Sequence, residues 1–338
     1  MMRKINIVLA FFLLLAPPVW GQEEDVFAPL TLVDFGQRDL LEARRSLLLE
    51  MVAPDQQGDA APSTEAHTRV YLDLAELHLA KMMRFEAEDY LAAVDVETAS
   101  PEAQRRYRTL QLALDLLSER AALGQAVSRS VGWTQGQALR TAAFARLGED
   151  DEAARLLPVT IEALSALSPA MTAAILPDLF EAAIAAENWE VAEALAARFP
   201  DHAELRDAAA YRFLLARTSE ISGDLLMAYD GYAHAAGGRD AYAHRARLAI
   251  VQMGRRTDTL PLEDAVALLK TARWAWSGDV FAKEGVALLA DYTLELGDYQ
   301  TALWALGQLL TEAESPKEAE AVRERAREAI ESYYQAGA

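Results

Sequence analysis

The sequence predicts an all-α fold in which antiparallel helix pairs stack into an α-α superhelix closed by a C-terminal capping helix. Three observations carry this expectation. The stretch Val286 to Leu310, VALLADYTLELGDYQTALWALGQLL, reads as two helices folded back at Gly297-Asp298. Apolar residues fall at helical spacing before the turn (Val286, Leu289, Ala290, Leu294) and after it (Ala302, Leu303, Leu306, Leu309, Leu310). A turn followed by an alanine recurs along the chain, and these alanines, Ala153, Ala192, Ala228, Ala265 and Ala302, lie 39, 36, 37 and 37 residues apart. That interval is too long for one helix and suits a helix pair with its turns. The chain is 52% hydrophobic but only 8% aromatic, as expected of alanine- and leucine-rich helices packed closely together. Two helices alone cannot bury both apolar faces, so successive pairs must cover one another.

The elements follow in order. Residues 1–21 place Arg3 and Lys4 before an apolar run from Ile5 to Ala16 and then Pro17-Pro18, the pattern of a secretory signal peptide. The run falls short of the roughly twenty apolar residues that span a bilayer. Cleavage before Gln22 and a periplasmic destination are expected, with an uncleaved anchor as the alternative. No other stretch is long and apolar enough to insert into a membrane. Within 22–63, Gln22 to Ala28 reads as acidic and mobile. An amphipathic helix then runs from about Gln37 to Val52 with Leu40, Leu41, Leu47, Leu48 and Met51 apolar, either packed on the repeats or awaiting a partner. Residues 53–63, APDQQGDAAPS, have no periodicity and read as a linker. Repeats are expected over 64–312, including a long helix from Pro101 to Glu119 and a weaker one around Ala121 to Val127. Residues 313–338 open on Ser315-Pro316-Lys317-Glu318, a serine cap with proline at the first helical position and glutamate three after the serine. The thin stripe Ala319, Val322, Ala326, Ile330 and Tyr333 suits a solvated capping helix.

Within the repeats, Tyr71-x2-Leu74-Ala75-x2-His78, Leu215-Ala216 followed by Gly223-Asp224, Ala228 and Tyr232, and Leu289-Ala290 followed by Gly297-Asp298-Tyr299 and Ala302 resemble the tetratricopeptide repeat (TPR) family. The small residues sit where two helices touch, and the turn glycine supplies a positive φ. Three features depart from the family pattern: Phe180 replaces a small residue, Ala87 or Glu88 fits only after a shift of one, and Ala249 to Thr259 reads as a longer connector. The resemblance implies a TPR-like solenoid whose concave groove binds a peptide or helix of a protein partner. By alignment Arg69, Leu72, Glu76, Glu181, Phe213, Arg217, Glu220, Glu284 and Asp291 would face it. The family's lysine and asparagine clamp for a carboxyl terminus is missing, since Leu72 and Phe213 occupy two of its positions, so a different ligand is implied.

Composition excludes several function classes. With 52 acidic against 32 basic residues and a net charge of -20, nucleic acid is a poor partner. Zero cysteines exclude disulfides and thiolate metal sites. No phosphate-binding glycine loop, G-x-S-x-G turn, H-E-x-x-H pair or calcium loop occurs, so no cofactor, metal or catalytic residue is assigned. His67 and His78 are too far apart along a helix to share a metal, and His202 reads as a first-turn residue. His234 and His244, near Asp240, leave open a metal or acid-base pair beside ordinary surface or packing roles. Trp274 and Trp276 fall on different sides of a helix, one in the core and the other a cap or an exposed anchor. Trp189, Tyr299 and Trp304 read as packing residues.

The function expected is a non-enzymatic scaffold or assembly factor of the cell envelope. The alternatives are an enzyme acting on an envelope polymer, with its site in the region 231–240, and an accessory of a flagellar-motor or secretion complex. Oligomeric state is left open.

Overall fold

The helix pairs expected from the spacing form because each tight turn lets two small-residue faces meet, and the computed structural model, which describes residues 26–52, 64–118 and 120–335, is helical with no strand among them. The expected signal peptide and the linker at 53–63 lie outside the described residues. Helices α1 (Leu32–Gln37) and α2 (Leu40–Glu50) come first. They precede the pairs α3 (Thr64–Ala80) with α4 (Arg84–Ala92), α5 (Pro101–Leu116) with α6 (Arg120–Arg129), α7 (Gln137–Leu147) with α8 (Asp150–Ala163), and α9 (Pro169–Ala185) with α10 (Trp189–Ala196). After the four-residue α11 (Ala203–Arg206) come α12 (Ala209–Ile221) with α13 (Leu225–Ala236), α14 (Ala241–Arg256) with α15 (Leu262–Ala272), and α16 (Val280–Leu296) with α17 (Tyr299–Thr311). Helix α18 (Pro316–Gln335) ends the series. Partners within each pair are in contact, and α3, α5, α7, α9, α12, α14 and α16 also touch in sequence, forming one continuous row. No described helix is long and apolar enough to cross a membrane.

One turn chemistry closes five of the pairs. Met82, Gly148, Glu187, Gly223 and Gly297 take positive φ. The next residue's N–H donates to a carbonyl five residues back, on His78, Phe144, Ala183, Ser219 and Thr293 respectively. This satisfies the helix's last carbonyls while reversing the chain. Five residues after the left-handed position stands an alanine, Ala87, Ala153, Ala192, Ala228 or Ala302, and every one is buried. Ala87 therefore fits the pattern without the expected shift. The expected connector from 249 to 259 is also corrected: α14 continues to Arg256 and the turn falls at Asp258, φ 54°. Gly254, within α14, lets Leu260 pack closely, since a Cβ there would stand 2.7 Å from the Leu260 Cβ. Phe180 is accommodated by an aromatic chain, lying edge-on to Phe199 at 5.7 Å, which stacks on Tyr211 at 4.7 Å. The short turn Phe199–Asp201 and α11 follow α10 and lead into α12.

The serine cap forms at α18, where Ser315 Oγ accepts from the Glu318 N–H at 3.2 Å, while the Glu318 carboxylate accepts from the N–H of Glu314, one residue before the cap, at 3.0 Å. Val322 and Ala329 are its buried residues, whereas Ile330 and Tyr333 of the expected stripe are exposed.

The amino-terminal end departs most from expectation. Of the stretch from Gln22 to Ala28 that reads as mobile, residues 22–25 lie outside the described residues, while Phe27 stacks on Trp133 at 6.0 Å and Ala28 is buried. Helix α1, absent from the sequence reading, wedges Leu32 and Phe35 into the core against α3 and α9. Helix α2 packs on α3, which resolves the open choice in favour of the repeats, although Leu41 on its far side is exposed.

Candidate partner-binding groove

Glu181 on α9 accepts from Arg217 on α12 at 3.2 Å and also from both terminal nitrogens of Arg245 on α14, one of them at 2.8 Å. Side chains two pairs apart thus meet across α12. Beside this junction lies a groove of about 340 Å³ lined by Phe213, Arg217, Glu220, Tyr232, Arg245, Gln252, Arg256, Phe281 and Glu284 among others.

Its floor is a guanidinium among aromatic rings: Arg245 lies 4.1 Å from the Phe281 ring centroid, 4.7 Å from that of Phe213 and 5.1 Å from that of Tyr242. Burial alone would lower the Arg245 pKa, but hydrogen bonds and charge from Glu181 outweigh it and hold the pKa above the ordinary value. Burial pushes the Tyr242 hydroxyl up, reinforced by Asp178 and Glu181. Asp178, paired with Arg146 at 2.7 Å, is itself raised by burial despite that partner. On the wall, Glu220 accepts from the Tyr232 hydroxyl at 2.6 Å and pairs with Arg256, while Gln252 donates to Glu284 at 3.1 Å. Burial and the bond to Glu220 raise the Tyr232 pKa. The groove offers exposed donors and acceptors whose charges are mutually matched, with apolar rings beneath.

Five of the nine residues expected to face a groove are gathered here: Glu181, Phe213, Arg217, Glu220 and Glu284. Phe213 is buried under Arg245, however, so it supports the floor instead of facing a ligand. The other four lie elsewhere. Arg69 is exposed and pairs with Glu50 at 3.5 Å; Asp291 is exposed and pairs with Arg325 of α18. Leu72 and Glu76 are buried, yet Leu72 reaches the wall of a cavity of about 430 Å³ that Arg69 and Arg106 also line, and Glu76 that of a neighbouring one of about 580 Å³. The amino-terminal tract covers Glu76, which accepts from the Thr31 N–H and hydroxyl and pairs with Arg106.

Sequence reasoning missed Arg245, Gln252 and Arg256. Their spacing of seven and four residues places them on one face of α14, a signal that was available. The tract at 28–31 was also missed. It crosses α3, α5 and the start of α7 without regular structure and is held by side chains. Ala28 N–H donates to Thr109 Oγ1 at 3.0 Å, and the Gln135 amide brackets Leu30, accepting from its N–H at 2.9 Å and donating to its carbonyl at 2.6 Å.

The histidines are dispersed. His78 and His244 are buried, bonded to the carbonyls of Leu74 at 2.7 Å and Phe281 at 3.2 Å, while His234 is exposed against its own helix at Asp230. Among the described residues no group of three or more His, Asp or Glu is placed to hold a metal. Trp276 donates to Asp279 at 2.7 Å, and both it and Trp274 lie beyond the end of α15, not on opposite helix faces. Trp274 is 79% exposed. Arg273 lies between the Trp274 and Trp304 rings at 4.7 and 4.2 Å. Trp189 and Trp304, expected in the packing, are 42% and 41% exposed.

No family model matches this chain, and no curated protein matches it either.

Proposed function

We propose that this protein is a non-enzymatic scaffold of the cell envelope, a TPR-like solenoid whose concave groove over α12, α14 and α16 holds a segment of a protein partner. One observation carries the reading: the same row of helices, in its first half, already holds a non-helical tract through side-chain bonds to backbone, Thr109 to Ala28 and Gln135 to Leu30. A surface that grips main chain in this way reads polypeptide largely independently of side-chain identity. The groove over α12, α14 and α16 has comparable equipment, with the Gln252 amide, Arg256 and Glu284 at its rim. The periplasmic destination rests on the amino-terminal sequence pattern, and the assignment to a solenoid family rests on the turn, alanine and glycine positions.

The test replaces Arg217 and Glu220 by alanine in the full chain and compares the proteins crosslinked to it in envelope extract with those of the unaltered protein. Loss of one or more partners, with helix content kept, supports the groove. An unchanged set removes it.

A further inference from the structure

The arm formed by the tract, α1 and α2 is bound the way a ligand is bound. Its polar partners lie far along the chain: Glu76 is 45 residues from Thr31, Lys81 is 45 from Gly36, Thr109 is 81 from Ala28, and Gln135 is 105 from Leu30. Leu30, Leu32 and Phe35 are buried in the core of the array. The covalent link from arm to array is the stretch 53–63, which can span at most about 40 Å. Beside that link, α2 and the residues after it expose Leu41, Leu49 and Val52, three large apolar side chains spaced for one helical face.

We propose that the arm is exchangeable between copies: the site formed by α3, α5, α9 and Gln135 takes either its own arm or the arm of a second copy, giving a reciprocal dimer in which the apolar faces of the two α2 helices meet. A foreign segment would have to replace the burial of Leu30, Leu32 and Phe35, whereas a second copy re-forms every one of those contacts. Exchange therefore loses nothing at the site and gains the burial of Leu41, Leu49 and Val52. Reciprocity closes the assembly at two copies.

The signature is kinetic. Contacts between arm and array are the same in both forms, so weakening one changes the rate of exchange and leaves the equilibrium in place. The full chain is concentrated, and its mass is followed over time by light scattering. The expected result is a dimer that grows with concentration. Gln135→Ala, or Thr109→Val as an independent variant, should reach the same dimer fraction at least several-fold faster. Leu41→Glu, at a position exposed in the single copy, should lower that fraction several-fold with helix content unchanged. A single-copy mass at every concentration overturns the proposal, as does a dimer whose rate of formation ignores both arm-site variants. A dimer indifferent to Leu41→Glu overturns the part assigned to α2.

Discussion

Gln135→Ala tests whether the tract at 28–31 is a structural part of the array. The amide makes two hydrogen bonds to Leu30, at 2.9 and 2.6 Å, in a place where Leu30 is buried. Each bond contributes about 1 kcal/mol net, and each backbone group left unsatisfied costs about 1–3 kcal/mol. Water entering the vacated volume recovers part of that cost, so the expected loss is about 2–4 kcal/mol. Gln135→Met keeps the length of the side chain and removes both polar groups, which separates lost packing from lost hydrogen bonds; it should cost nearly as much. The assay is urea unfolding of the full chain, followed by circular dichroism, together with amide exchange at Leu30. If both variants lie within about 0.5 kcal/mol of the parent and the Leu30 amide stays protected, the bracket contributes nothing and the account of the arm fails.

Three other outcomes follow from the same packing. Gly297→Ala forces a Cβ onto a residue at φ 78° and should cost about 1–2 kcal/mol in thermal unfolding; Gly307→Ala, inside α17 with open space around it, should instead stabilise by about 0.5–1 kcal/mol. Glu181→Gln removes the main countercharge of the Arg245 guanidinium, 11% exposed, while Glu284 and Asp178 remain near it, so the cost should be about 1–3 kcal/mol in urea unfolding; no measurable loss would sink the assignment. His244 is buried and its pKa is lowered, mainly by burial, so the folded state binds its proton less readily than the unfolded chain. Its contribution is complete above the unfolded value of about 6.5 and is lost as pH falls through the folded one. Stability measured from pH 7 down to 5 should fall less steeply in His244→Leu than in the parent.

The pairs were legible because their determinants are local. A positive-φ residue, a capped carbonyl and an alanine five residues on all lie within a short stretch of sequence, with glycine at the left-handed position in Gly148, Gly223 and Gly297 and with Met82 and Glu187 in the other two turns, so the interval of about 37 residues survives wide variation elsewhere. Where the determinant is tertiary, reading fails. Phe27 to Phe35 has no 3.6-residue period, and what orders it, Trp133 and Gln135, stands a hundred residues downstream. Glu76 looked like a groove residue because its position on α3 is inward; that it is covered depends on Thr31 and Arg106, which the pattern of α3 does not contain. Trp189 and Trp304 sat at expected packing positions, yet periodicity finds a face without showing whether anything covers it. Of the groove, the residues on α12 were found and those on α14 were missed, although both helices carry their polar residues at helical spacing.

The ion pairs along the row explain why net charge said so little about a partner. Neighbouring helices of the row are tied by pairs that use them up: Arg106 with Asp73 and Glu76, Arg146 with Asp178, Arg217 and Arg245 with Glu181, Arg256 with Glu220, Arg255 with Glu295, and Arg325 with Asp291. Most of these pairs hold one first helix to another along the row, and Arg325 holds α18 to α16. A face whose charges are matched internally has little to offer a partner's net charge, and what it retains is hydrogen bonding and shape. The arm illustrates the consequence: of its contacts with the array, those to Thr109 and Gln135 address main chain, and Glu76 reaches Thr31 while still paired with Arg106. Selectivity in such a groove must come from where a segment places its N–H groups and carbonyls and from which side chains fit between the helices.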